Sequence, residues 1–502
     1  MSPALTERDA CGIGFVADAS GRPSRRVVDA ALEALNRVRH RGAVAADART
    51  GDGAGLLLPL PRALLTREAR RLGLGRVSAL EPYRFGVAVC FSDHDETGPG
   101  IRDVVEAACR AERIRVVGWR PVAVRPDALG DHARATRPRI EQAILEGPFA
   151  MSTWESEWHA HRARRRAEVA AREAGLSLHF PSFSFLTIVY KALVAADQLA
   201  AFYPDLADPM LDAPFAIFHQ RYSTNTEPTW ARAQPFRMLS HNGEINTIAG
   251  NVNRMRSREG RLGAWSPAEE RWLRPVIDEH GSDSSMLDNV LELLVREGFR
   301  PGEGRDIRHA IAMLVPAAWE GDPRLDGEVA DFYRYHAALM EPWDGPAALV
   351  FTDGRGVGAA LDRNGLRPLR WAESEDGLVV CASEAGVVDM AGRVRRGKLG
   401  PGQMLFLDGR GLDLDPIARI AARRPYGRWL DEHRLVRAAG EARAEELEDL
   451  LPRQVAHGYT REDLQMMVRP AATSGKEPTY SMGDDTPLPP LSPHRRPVFH
   501  YL

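Results

Sequence analysis

Cysteine is scarce in this chain. Four residues in 502 are cysteines, Cys11, Cys90, Cys109 and Cys381, and none forms a CxxC or a Cys/His ligand spacing. That excludes a disulfide scaffold and a cysteine-built metal or iron–sulfur site, and it fits a reduced, cytoplasmic setting. Long hydrophobic runs are missing too: stretches such as AIAMLVPAAW stop well short of the ~18 apolar residues of a transmembrane helix. The first ten residues carry Glu, Arg and Asp where a secretory signal would have its apolar region. Nor is there an excess of charge of one sign. Charged residues make up 27% and the formal net charge is -3, which excludes nucleic acid as the main partner and argues against disorder. With no membrane span, no internal repeat and no long low-complexity tract, the expectation is a soluble chain of roughly two to four structural units. Its partners are then small molecules or other proteins.

What is present alternates between strand and helix patterns. CGIGFVAD reads as a strand, and RRVVDAALEALNRVRHRG as a helix, since Val28, Leu32, Leu35 and Val38 recur at helical spacing. The glycines of HRGAVAADARTGDGAG argue for a tight loop feeding the strand LLLPLP. RFGVAVCF, IRDVVEAACRAERI and VVGWRPVAV read strand, helix, strand. WESEWHAHRARRRAEVAAREAG reads as an exposed polar helix whose Arg run is a solvated face. Strands return at FSFLTIVYKALV and APFAIFHQRYS, helices at SSMLDNVLELLVREG and DGEVADFYRYHAALM, and short strands at AALVFTD, GVGAALD and GLVVCASEA. The pattern predicts an α+β fold with a largely antiparallel sheet. From about Pro425 the texture changes to an acidic helical stretch and then to KEPTYSMGDDTPLPPLSPHRRP, rich in turn residues, which reads as a linker or the start of a further unit.

Four places bear chemistry, each with a plain structural alternative. Cys11, followed at once by Gly-Ile-Gly, is either a small buried hydrophobe opening a strand or, if Met1 to Ala10 are removed, an N-terminal residue carrying thiol and α-amine together. Arg221, at the end of an apolar strand, either closes a surface salt bridge or grips a carboxylate with two parallel hydrogen bonds. Asn242 and Gly243 form either a turn or a pair of donors for an oxyanion. Asp283, ahead of an apolar helix, is either an N-cap or the anion for an ammonium group. Cys90, Cys109 and Cys381 sit in apolar patterns and read as inert buried thiols.

Taken in order, Cys11, HRGA from His40, TGDGAGLLL from Thr50, HQRYSTNT from His219, HNGEIN from His241 and GSDS from Gly281 resemble the class II glutamine amidotransferase domain of the glutamate synthase large subunit. LMEPWDGPAAL, ALDRNGLRPLR and ASEAGVVDM extend the resemblance, and GYTREDLQ and SMGDDTPL resemble the link into that family's central domain. It therefore covers essentially the whole chain. It implies a four-layer α/β/β/α N-terminal-nucleophile hydrolase sandwich. It also implies removal of a leader at residues 1–10, an amidotransferase domain over 11–424, and at 425–502 a linker and the start of the central domain.

The resemblance further implies that the Cys11 thiol attacks the side-chain amide of L-glutamine with its own α-amine as base. Arg221 would hold the substrate carboxylate, Asp283 its amino group, and Asn242 with Gly243 the oxyanion. Thr224, Asn225, Arg41 and Gly42 would shape or support the pocket. Ammonia would pass to a synthase domain making glutamate from 2-oxoglutarate. FMN and an iron–sulfur cluster are implied for that portion and none for this chain, with ferredoxin or a small NAD(P)H-oxidising subunit as electron donor. One departure is Gln234, where relatives often carry His. The alternative is a non-catalytic glutamine-binding or assembly subunit that has kept its pocket.

Overall fold

The computed structural model describes residues 11–475, leaving aside 46, 48, 76, 78–79, 94–99, 150, 222–227, 261–265, 298–304, 434 and 436–448. Among these, contacts divide the chain into two compact units, Met1–His433 and Arg434–Leu502.

The first unit is built on two antiparallel sheets. One has seven strands in the order Val394–Lys398, Arg370–Ser374, Leu378–Ala382, Gly12–Asp18, Phe215–Gln220, Ala54–Pro59 and Thr187–Ala192. The other has five, in the order Leu412–Asp413, Met404–Leu407, Val357–Leu361, Ala347–Thr352 and Leu239–Gly243. Side chains alternate across a strand, so each sheet can bury both faces. Ile13, Phe15 and Ala17 point one way and pack with Ile217, Ala348, Val350, Ala359 and Leu405, which makes the seam between the sheets apolar. Val16 points the other way, with Leu56 and Phe218, against Val28, Ala31 and Leu35 of the helix Arg25–Arg37. On the outer face of the second sheet, Leu349, Phe351 and Phe406 pack against the helices Asp283–Glu297, Ile307–Leu314 and Gly327–Ala337. The layers are helix, sheet, sheet, helix, as the resemblance implied.

A four-stranded antiparallel sheet is added to this core, in the order Arg115–Pro121, Arg139–Glu146, Phe85–Ser92 and Leu178–Ser184. The helices Ile101–Ala111 and Thr153–Glu173 pack on it through Val105, Ala160, Ala163 and Ala167. The stretch FSFLTIVYKALV is divided between sheets, ending one strand at Ser184 and starting another at Thr187.

One expectation is overturned. The arginine-rich helix Thr153–Glu173 is not solvated along its Arg run: Arg164 is 3% exposed and Arg165 8%, with Glu157 and His161 also buried. The reason is charge matching from a second helix. Arg164 pairs with Glu292 at 2.7 Å and Arg296 with Glu157 at 2.6 Å, while Arg165 meets Glu168 of its own helix at 2.9 Å. Arg237 completes the cluster, 2.8 Å from Glu292 and 3.2 Å from Asp288. A charge survives burial when it is paired and hydrogen-bonded in this way.

The helix Tyr426–His433 belongs to the first unit and buries Tyr426 against Phe332 and Tyr335. In the second unit the described residues form short helices, among them Leu450–Ala456 and Arg469–Ser474, that leave Leu451, Val455 and Met466 exposed. No helix among the described residues is long and apolar enough to cross a membrane.

Candidate active site

Sheet register brings the sequence candidates together. Gly12 lies opposite Gln220 on the neighbouring strand, so Cys11 and Arg221 share one end of the seven-stranded sheet. The edge strand of the other sheet, Leu239–Gly243, reaches the same place. There the Cys11 N–H donates to Oδ1 of Asn242 at 3.1 Å. With its oxygen fastened in this way, the Asn242 amide has its Nδ2 buried without a hydrogen-bond partner. An unpaired buried donor is costly, and sites that await a developing negative charge are where one is tolerated. Gly243 is required by the backbone: its φ is +146°, and a Cβ there would lie 1.6 Å from the Pro346 carbonyl oxygen.

Asp283 is not the N-cap, since it is the first helical residue and Ser282 Oγ accepts from the Ser285 N–H at 3.2 Å, but its charge acts on Cys11. It opens the helix Asp283–Glu297, its Oδ1 accepting from the Ser284 N–H at 2.6 Å, while Oδ2 accepts from the Ile245 N–H at 2.9 Å. Ser284 Oγ donates to Asp283 Oδ1 at 2.9 Å and sits 2.8 Å from His241 Nδ1, so the imidazole donates to the hydroxyl. Burial holds His241 below the usual imidazole range, which keeps it neutral. Thus the residue before Asn242 and the one after Asp283 are tied to each other.

Arg221 sits at φ +94°, a conformation that side-chain-bearing residues rarely adopt. Its N–H donates to the Gly53 carbonyl at 2.8 Å, and its Nε lies 3.5 Å from Asp52 Oδ2. Arg41 is drawn to the Glu384 carboxylate, which also holds His40 at 2.8 Å. Gly42 permits close approach, because a Cβ there would lie 2.1 Å from Gln220 Nε2. Gln234 accepts from the His241 N–H at 2.8 Å and donates to its carbonyl at 3.4 Å, so it braces the Asn242 strand from behind. Thr224 and Asn225 lie outside the described residues.

Acidity does not distinguish Cys11. Burial pushes its thiol up to about 12, with Arg221 and Arg367 pulling down and Asp52 and Asp283 pushing further up. Burial likewise raises Cys90 and Cys381, and takes Cys109 to about 12. What sets Cys11 apart is its surround of two arginines and two aspartates. A thiol that rests protonated needs a base at the moment of attack.

Sequence reasoning passed over Asp52, His241, Ser284 and Arg367 as individuals, although each lies inside a motif already singled out. No group of three or more His, Cys, Asp or Glu side chains among the described residues is placed to hold a metal ion.

The chain matches the family described as Glutamine amidotransferases class-II over residues 11–429 and the Glutamate synthase central domain over 452–502. It is 42% identical over 514 residues to ferredoxin-dependent glutamate synthase 2 of Synechocystis sp., covering 99% of this chain and 32% of that protein. It is 40% identical to the glutamate synthase [NADPH] large chain of Bacillus subtilis, covering 99% of this chain and 33% of that one. The large chain of Azospirillum brasilense is also 40% identical, with 99% and 33% covered. The chain thus spans about a third of the length of these relatives. A nucleophile candidate flanked by a fastened amide, an arginine and an aspartate, within a family match running from Cys11 itself, leads to one conclusion: the chain belongs to the class II glutamine amidotransferases.

Proposed function

We propose that this chain carries out the glutaminase half-reaction of a glutamate synthase. The Cys11 sulfur attacks the side-chain amide carbon of L-glutamine, its proton passing to the α-amine of Cys11. The tetrahedral oxyanion is met by Asn242 Nδ2 and the Gly243 N–H, and collapse to a thioester expels the amide nitrogen, protonated, as ammonia. Water then adds to the thioester, releasing glutamate and restoring the thiol. Arg221 binds the substrate α-carboxylate and Asp283 its α-ammonium, two charges of opposite sign matched by two side chains of opposite sign. Thr224 and Asn225 complete the substrate pocket.

The observation that carries this reading is the Asn242 amide, anchored through Oδ1 by Cys11 itself and left with an unpaired, buried Nδ2. A base on the same residue removes the need for a preformed thiolate, so the elevated thiol is compatible with this reading. Residues 1–10 are then a leader that must be cut away, because a nitrogen in a peptide bond cannot serve as a base. The division read from the sequence, an amidotransferase domain over 11–424 and at 425–502 a linker and the start of the central domain, is kept with the helix Tyr426–His433 assigned to the first domain, on which it packs.

Ammonia goes to a synthase portion that makes glutamate from 2-oxoglutarate. FMN and an iron–sulfur cluster belong to that portion, which draws electrons from ferredoxin or a small NAD(P)H-oxidising subunit in a cytoplasmic setting. Intact-mass measurement coupled to a glutaminase assay tests the core of the reading. The active form is expected to begin at Cys11, and an electrophilic glutamine analogue to modify Cys11 while sparing Cys90, Cys109 and Cys381. A fully active protein that retains Met1 to Ala10 overturns it.

A further inference from the structure

Asp52 has no role in the mechanism above, yet it is only 6% exposed and lies among the charges around Cys11. Its backbone N–H donates to the Ala43 carbonyl at 3.1 Å, which ties it to the loop that follows His40. Gln220 Nε2 approaches Oδ1 at 3.4 Å, and Oδ2 stands 3.5 Å from Arg221 Nε. The next residue, Gly53, accepts the Arg221 N–H. Two consecutive residues therefore hold Arg221, Gly53 by a main-chain hydrogen bond at an unfavourable φ and Asp52 by charge attraction at 3.5 Å rather than by a hydrogen bond. A guanidinium held from its Nε side presents the two Nη nitrogens at the far end of the fork, the pair suited to an end-on grip of a carboxylate. The loop closes tightly over this pair: a Cβ on Gly42 would lie 3.3 Å from Asp52 Oδ1.

We propose that Asp52 is a positioning residue for substrate recognition, its carboxylate holding Arg221 so that the guanidinium faces the α-carboxylate of the incoming amino-acid amide. This rests on the role given to Arg221 above. It makes Asp52 a determinant of specificity, favouring amides that carry an α-carboxylate over those that do not.

The experiment compares L-glutamine with 4-aminobutyramide, which is glutamine without its α-carboxylate, in the intact protein. Asp52→Asn is expected to raise KM for glutamine about tenfold while changing kcat less than about twofold, and to leave kcat/KM for 4-aminobutyramide unaltered. Asp52→Glu restores part of the loss, because the charge returns in a longer side chain. A thermal unfolding midpoint for each variant confirms that it folds. Equal losses on both substrates, or an unchanged KM for glutamine, overturn the role of Asp52. Arg221→Lys separates the two levels. If that variant keeps the preference for glutamine, the role of Arg221 fails and this inference with it. If it loses the preference while Asp52→Asn keeps it, only the inference fails.

Discussion

The helix Asp283–Glu297 serves two buried polar regions that differ in how far their charges are paired. At its middle, Asp288 and Glu292 enter a cluster with Arg164 and Arg237 in which charges are paired, and Asp288 Oδ1 also accepts the Met238 N–H at 2.8 Å. At its start, Asp283 lies near Cys11, where Asn242 Nδ2 and Arg367 Nε are buried with no hydrogen-bond partner and Asp52 is ion-paired with Arg221. The first arrangement pairs each of these charges, although Arg164 Nε and Arg237 Nη2 are also buried with no hydrogen-bond partner, and its energy goes into holding the fold. The second is left incomplete at Asn242 Nδ2, the donor assigned above to the oxyanion. A pocket that completes itself has nothing left to offer a transition state. The cluster also steadies the pocket, because Met238 leads directly into the strand that ends at Asn242 and Gly243.

The sharpest way to break this comparison is to unbalance the charge-paired side. Glu292→Gln removes the carboxylate that Arg164 and Arg237 share, leaving each with only its second partner. It is expected to cost about 3 kcal/mol of folding stability, measured by urea unfolding, because an under-compensated buried charge is the expensive case. Glutamine KM should stay close to wild type in the fraction that folds. A large change in KM with unchanged stability would show that the cluster belongs to the pocket.

Next in size is a change on the incomplete side. Asn242→Ala removes an unpaired donor and one hydrogen bond from Cys11. Its stability cost should therefore stay within about 1 kcal/mol. Its kcat is expected to fall about 10²-fold with little change in KM, since the Nδ2 donor acts mainly on the oxyanion. A loss confined to KM would assign the amide to ground-state binding instead.

The two regions also differed in how far the sequence disclosed them. The places of the candidate residues were readable from short local motifs: HQR ends one strand, HNG ends another and GSDS opens a helix, so Arg221, Gly243 and Asp283 are constrained by their immediate neighbours. The α+β class was readable from the succession of strand and helix patterns, whereas the four layers came only from the family resemblance. The ionic cluster was not readable. Helical spacing shows which residues share a face, but whether that face meets water depends on partners 128 residues away, as for Arg164 and Glu292. The same limit hid Asp52, whose neighbours Ala43, Gln220 and Arg221 come together only through sheet register and loop closure.

The smallest expected effect separates the regions by pH. Burial raises the Asp52 carboxyl from 3.8 to about 6 despite Arg221 nearby, so the folded protein holds that proton more tightly than the unfolded chain does. The stability linked to Asp52 is then fully present below about pH 3.8 and lost as pH rises through about 6. Glu168 runs the other way. Burial would raise it, but Arg164, Arg165 and Arg237 outweigh burial and bring it from 4.5 to about 2, so its contribution is present above about pH 4.5 and lost as pH falls through about 2. Asp52→Asn removes only the first of these dependences. Near pH 7.5 the variant should be more stable than wild type by about 1–2 kcal/mol, and the gap should close below about pH 4, where wild-type Asp52 is itself neutral. Urea unfolding at the two pH values measures the difference. The gain in stability would accompany the loss in glutamine affinity expected of the same variant, as it should if the charge is kept for recognition at the expense of the fold. A variant destabilised equally at both pH values would instead place Asp52 with the charge-paired cluster, as a structural ion pair whose partner is left stranded.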